Sequence, residues 1–131
     1  KFVDNRANTR VELAGYAIKL NNTKDWQFGL GEQGGKHIGS FVMTLAQNAL
    51  LDGNPKDILT SSDQVAWITD TDATIGTRSR FYSFGTKQSP EFFTNLSATL
   101  EVQAAINNAE KLSVSDEIVL DGSVTIEFMY L

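Results

Sequence analysis

The chain is predicted to fold as an all-β sandwich, and two observations carry that expectation. The first is strict alternation at the C-terminal end, where Val124, Ile126, Phe128 and Tyr130 share one parity and Ser123, Thr125 and Glu127 share the other. A helix cannot gather that pattern on one face, whereas a strand with one face on a core requires it. The second is the recurrence of the pattern upstream, where Leu96, Ala98, Leu100, Val102, Ala104 and Ile106 alternate with Ser97, Thr99, Glu101, Gln103 and Ala105. Strand-like segments separated by clusters of Gly, Asn, Asp and Ser fill the remainder, a layout that sandwiches share.

Taken in order, the elements begin with an unusual N-terminus. Asp4, Arg6, Asn8, Arg10 and Glu12 are polar, while Val3, Asn5, Ala7, Thr9, Val11 and Leu13 form an uncharged, modestly apolar odd face. Such a segment reads as an extended strand that can join its own sheet or a neighbour's. Val11 and Leu13 lead through Gly15 into Tyr16, Ile18 and Leu20, and the parity flips at the glycine as a bulge or bend requires. After the turn Asn21-Asn22-Thr23, Trp26, Phe28 and Leu30 alternate again. Phe41, Met43 and Leu45 fit a strand that gives way to an irregular or helical stretch, and Asp52-Gly53-Asn54-Pro55 is a turn. Residues 65 to 68 and 80 to 84 are apolar enough for central strands, and Gly85 with Ser89-Pro90 separates the second from the strand that starts at Leu96.

Composition narrows the class. A chain of 131 residues is one domain, able to bury roughly two-thirds of its unfolded surface. Eleven Lys and Arg against sixteen Asp and Glu give a net charge of -5, and the charges are scattered. Nucleic acid is a poor partner for that surface, because phosphate binding needs a clustered basic face. With no cysteine, neither a disulfide framework nor a thiolate metal site is available. No run approaches the roughly 18 apolar residues of a membrane span and no charged and apolar leader opens the chain, so a protein that is soluble and, if secreted, already processed is expected.

The catalytic inventory is thin, and no enzyme, cofactor or metal is expected. Gly29-Leu30-Gly31-Glu32-Gln33-Gly34 matches the dinucleotide fingerprint, but Gly35 and Gly39 follow, and no helix can begin cleanly at the third glycine to meet a pyrophosphate. His37 is the only histidine, which leaves a nitrogen-rich zinc site or a serine charge relay without partners. Asp63, Asp70 and Asp72 lack the ligand series of a calcium loop and read as polar turns. Arg78 and Arg80 share a strand face, either as a carboxylate clamp or as an ordinary exposed pair. Asn21 and Asn95 open glycosylation sequons.

The run Ala14-Gly15-Tyr16-Ala17-Ile18, followed by Asp25-Trp26-Gln27-Phe28-Gly29-Leu30-Gly31, resembles the start of kappa-class chaperone/usher fimbrial subunits, with G-x-x-I and then W-x-W/F-x-x-G. Those subunits also open with a polar and apolar alternating extension and lack the disulfide of other pilins. The C-terminal alternation with penultimate Tyr130 is similar to the pilin last strand, although the glycine that many pilins carry before that strand is replaced here by Ile118, with Gly122 nearer the end.

The resemblance implies an incomplete immunoglobulin-like sandwich over residues 14 to 131, completed by a donated strand, with residues 1 to 13 as the donor extension. Val3, Asn5, Ala7, Thr9, Val11 and Leu13 would enter the groove of a neighbouring subunit, and Val124, Ile126, Phe128 and Tyr130 would line the acceptor groove and pair with a periplasmic chaperone. The implied partners are neighbouring fimbrial subunits, that chaperone and the outer-membrane usher, and the implied location is an extracellular fimbrium reached through the periplasm. The chain is too short for the receptor-binding insertion of the adhesive major subunits, so a structural, minor pilin is implied and a host receptor gains little support. A carbohydrate-binding sandwich using Trp26, Trp67, Tyr82, Asp70 and Asp72, and a phage virion protein with a strand-exchanging arm, remain open.

Overall fold

The computed structural model describes residues 1–13, 25–77, 80–112 and 117–130. The expected bulge at Gly15, the strand through Tyr16, Ile18 and Leu20, the Asn21-Asn22-Thr23 turn and Arg78 lie outside them.

The fold is an all-β sandwich of antiparallel sheets. Its organising strand is β5 (Gly39–Leu45), buried along its whole length. On one flank β5 pairs with β13 (Leu100–Ile106) over seven residues, from Leu100 opposite Leu45 to Ile106 opposite Gly39. On the other flank it pairs first with β2 (Phe28–Gly29) and then, beyond the end of β2, with the segment around Thr74, where the Leu45 N–H donates to the Ala73 carbonyl and the Ile75 N–H to that of Met43.

The second large sheet has the order β11 (Ser89–Pro90), β10 (Phe81–Thr86), β8 (Asp57–Ser61), β9 (Ile68–Thr69). A small sheet joins β12 (Leu96–Ser97), β6 (Leu50–Leu51) and β7 (Asn54–Pro55). Directly paired residues share a sheet face, so the pairs Ile58 with Phe84 and Thr60 with Tyr82 define the inner face of the second sheet. Phe28, Phe41, Met43 and Leu45 from the first sheet meet Ile58 and Phe84 from the second in one buried cluster, joined by Leu30, Ile38 and Ile75. The rings of Phe28 and Phe41 stack with centroids 5.4 Å apart.

The dinucleotide-like glycines form a hairpin. Strands β3 (Glu32–Gln33) and β4 (Lys36–His37) are joined by Gly34 and Gly35, both with positive φ, as a two-residue hairpin loop demands.

Three expectations are corrected. Residues 65 to 68 are not a strand through their length, because the Asp63 carboxylate accepts the Val65 and Ala66 N–H groups and closes a loop that leaves Val65 83% exposed; only Ile68–Thr69 pairs. The long alternating run from Leu96 is two strands in different sheets, β12 on β6 and β13 on β5. The extended N-terminal strand is cut short: β1 (Phe2–Asp4) ends at Asp4, and Ala7–Thr9 forms a 3-10 turn.

Candidate assembly surface

Strand β1 pairs antiparallel with β14 (Val124–Ile126), with Phe2 opposite Ile126, Val3 opposite Thr125 and Asp4 opposite Val124. The ladder runs one step further, since the Glu127 N–H donates to the Lys1 carbonyl at 2.8 Å. The parity of β1 is opposite to the one expected, with Phe2 and Asp4 turned inward and buried. Phe2 sits edge-on to Tyr82, its ring centroid 5.6 Å away. The even face looked wholly polar because Asp4, Arg6 and Arg10 dominate it, yet Asp4 and Arg10 pair with each other and the Arg6 guanidinium pairs with Asp121.

The Asp4 carboxylate is the reason the segment folds back. Its Oδ2 accepts from Arg10 Nε at 2.7 Å and from the Gly29 N–H at 3.0 Å, while Oδ1 accepts from the Arg6 N–H at 2.9 Å. A buried carboxylate needs such partners, because an uncompensated charge in the interior costs several kcal/mol. Thr9 completes the turn, donating its hydroxyl to the Arg6 carbonyl and accepting the Gly31 N–H.

Further on, two side chains stand in for a β ladder. Ser40 Oγ donates to the Val11 carbonyl at 2.6 Å and accepts the Val11 N–H at 2.8 Å. The fully buried Gln27 amide does the same for Leu13, accepting its N–H and donating to its carbonyl. Residues 1–13, expected as an extension outside the sandwich, therefore lie against it. Of the expected donor face, Val3, Val11 and Leu13 are half-buried, Asn5 and Ala7 are exposed, and Thr9 is buried. Asn5 bonds to the hydroxyls of Ser123 and Thr125.

The expected acceptor residues stand differently again. Val124 packs against the core cluster, but Ile126 is about half exposed, Phe128 is 81% exposed and Tyr130 is fully exposed. The strand expected to run on through Tyr130 ends at Ile126, and Phe128 and Tyr130 lie beyond it with their apolar side chains exposed. Strand β13 shows the same feature. Leu100, Val102 and Ala104 pair with the buried Leu45, Met43 and Phe41, so with Ile106 they stand on the core side of the sheet, yet all four are exposed and Val102 is 60% so. The two strands approach one another through Phe41, whose ring lies beside Gly122 just before β14 and whose backbone pairs with Ala104. Among the described residues, β13 pairs only with β5 and β14 only with β1.

Of the residues weighed for sugar binding, Trp67 is half-buried, and Trp26, Tyr82, Asp70 and Asp72 are engaged otherwise. Arg80 lies over the Trp26 ring at 5.1 Å, within 3.9 Å of Asp70 Oδ2. The Tyr82 hydroxyl accepts the Gly76 N–H and donates to the Thr74 carbonyl, and burial pushes its pKa up to about 12. Asp70 Oδ1 accepts the N–H groups of Asp72 and Ala73, closing a polar turn. Backbone N–H donors likewise hold the exposed Asp63 carboxyl below the usual range. His37 lies 3.6 Å from Glu32 in the β3–β4 hairpin. Among the described residues no three His, Asp or Glu side chains gather as a metal site would require.

Compared with known proteins, the chain matches no family model, no curated sequence and no solved structure. What the geometry defines is an all-β sandwich in which, among the described residues, core-side apolar side chains of β13 and of the end of β14 stand uncovered.

Proposed function

We propose that this chain is a structural subunit of a bacterial chaperone/usher fimbria, non-adhesive and exported through the periplasm, that assembles by taking a strand from a neighbour beside its C-terminal strand. The single observation that carries the reading is the exposure of Ile126 at the end of β14, and of Phe128 and Tyr130 at the alternate positions beyond it, next to Val124, which already packs on the core. An inserted strand would satisfy the open backbone ladder and cover those side chains. Large apolar residues of this kind contribute roughly 1.5 to 3 kcal/mol each when fully buried. Resemblance of residues 14 to 18 and 25 to 31 to the kappa-class pattern supports the same class.

Donation by residues 1–13 requires the arm to leave the contacts that Phe2, Asp4 and Thr9 make within its own chain and to pair at a neighbour's uncovered edge beside β14 instead. Polymerisation is therefore slow without a chaperone and usher to hold the arm open.

The test is secretion of the full chain to a bacterial periplasm with and without a co-expressed kappa-class chaperone. The expected result is a soluble one-to-one complex, lost on Phe128→Asp, and a ladder of unboiled multimers once usher is present. A chain that accumulates as free monomer, ignores the chaperone and forms no ladder overturns the reading.

A further inference from the structure

Among the described residues β13 presents a second open edge, and its details point to a particular occupant. Ala46 N–H donates to the Thr99 carbonyl at 2.9 Å and Asn107 N–H to the Ile38 carbonyl at 2.7 Å, one at each end of the β13–β5 ladder. Hydrogen-bonded pairs alternate along an antiparallel ladder, so the bonds to β5 fall on Glu101, Gln103 and Ala105. The N–H and C=O groups of Leu100, Val102, Ala104 and Ile106 point away from β5, toward the open edge. These same residues carry the exposed core-side apolar side chains. Edge strands are ordinarily blunted by Lys, Pro or a bulge, and β13 has none of these: it pairs residue for residue with β5, and Glu101 is its only charge.

We propose that β13 pairs antiparallel with β13 of a second copy, about a two-fold axis at Gln103, to give one continuous sheet across two chains. In this register Leu100 pairs with Ile106 of the second copy and Val102 with Ala104, and the reverse. Every outward-pointing backbone group of the strand finds a partner, and the register keeps core-side residues opposite core-side residues. The apolar side chains of both copies form one stripe on the core side. Glu101 falls opposite Ala105 of the second copy rather than opposite the other Glu101, so like charges do not face each other. A closed two-fold contact of this kind is self-limiting, unlike head-to-tail strand exchange. It involves a different strand from the one in the fimbrial reading and stands or falls separately.

The test uses the full chain. Sedimentation should give twice the mass of one chain. Because the Ala104 N–H points outward, Ala104→Pro removes no bond to β5 and is tolerated as edge prolines are; it should give a monomer with an unchanged cooperative melt. In the absence of native cysteines, Gln103→Cys should form an intermolecular disulfide under mild oxidation. Facing residues at a non-hydrogen-bonded position have Cα atoms about 4.5 Å apart, within disulfide range. Glu101→Cys should fail to cross-link, since the two copies of that residue sit roughly 13 Å apart along the strands. A wild-type monomer whose Gln103→Cys variant cross-links no faster than Glu101→Cys overturns the proposal. So does a dimer that survives Ala104→Pro and resists cross-linking at position 103. Chaperone binding unaffected by Ala104→Pro would leave the fimbrial reading untouched in either case.

Discussion

Asp4 and Arg10 form an ion pair in the N-terminal segment, with Nε 2.7 Å from an Oδ2 whose side chain is 1% exposed. The pair makes β1 part of the sandwich rather than a loose leader. Asp4→Asn removes the charge while keeping the shape, and it puts an amide group where Arg10 or Gly29 needs an acceptor. A loss of about 3 kcal/mol is expected, the lower end for breaking a buried pair, since Arg10 retains some water. Urea denaturation at neutral pH measures it, and an unchanged midpoint would show that the clasp contributes nothing.

Gly29 admits the N-terminal turn at a distance no larger residue permits. A Cβ there would strike the Arg6 carbonyl oxygen and the Thr9 hydroxyl. Backbone cannot yield as a side chain does, so Gly29→Ala should cost about 1–3 kcal/mol or more. Gly122 is a graded comparison: its Cβ would stand 2.8 Å from a ring atom of Phe41, which can turn. Thermal melts of the two variants should rank Gly29→Ala below Gly122→Ala.

Tyr82 supplies a pH dependence whose sign is fixed by its environment. Burial disfavours the phenolate and raises the pKa from 10.0 to about 12, against the smaller opposing effects of the Gly76 N–H and Arg80. The folded state therefore holds the proton more tightly than the unfolded state. The resulting stability is fully present below pH 10.0 and declines as pH rises through the interval to about 12. Tyr82→Phe strands the Gly76 N–H and the Thr74 carbonyl, at a cost of about 1–3 kcal/mol near neutrality. Denaturation midpoints followed across the alkaline range should fall less steeply in the variant than in the wild type.

Phe128 should separate folding from assembly. Its ring is 81% exposed, so Phe128→Asp should change monomer stability by no more than about 0.5 kcal/mol. The same variant should abolish chaperone capture. Parallel melts and co-purification decide between an interface residue and a structural one, for a large loss of stability would place Phe128 in the fold.

Which strands could be read from residues alone followed from their surroundings. Residues 41 to 45 and 81 to 84 declared themselves by β-branched, aromatic and apolar content, and β5 and β10 stand there. Strand β8 went unread because both its faces are buried: Ile58, Leu59, Thr60 and Ser61 are all inside, so no period-two signal exists. Thr60 and Ser61 disguise it further as a polar turn. Charges misled at the N-terminus, where Asp4 and Arg10 neutralise each other across a turn that no local pattern announces.

The amino-acid sequence alone determined the all-β class and the strand character of residues 100 to 106 and 124 to 126, because side-chain alternation is a local property of an extended backbone. Only the tertiary structure decided what covers each face. Period two says that Leu100, Val102 and Ile106, or Ile126, Phe128 and Tyr130, lie together; burial depends on whether another layer reaches them. None of the described residues reaches far enough to bury them.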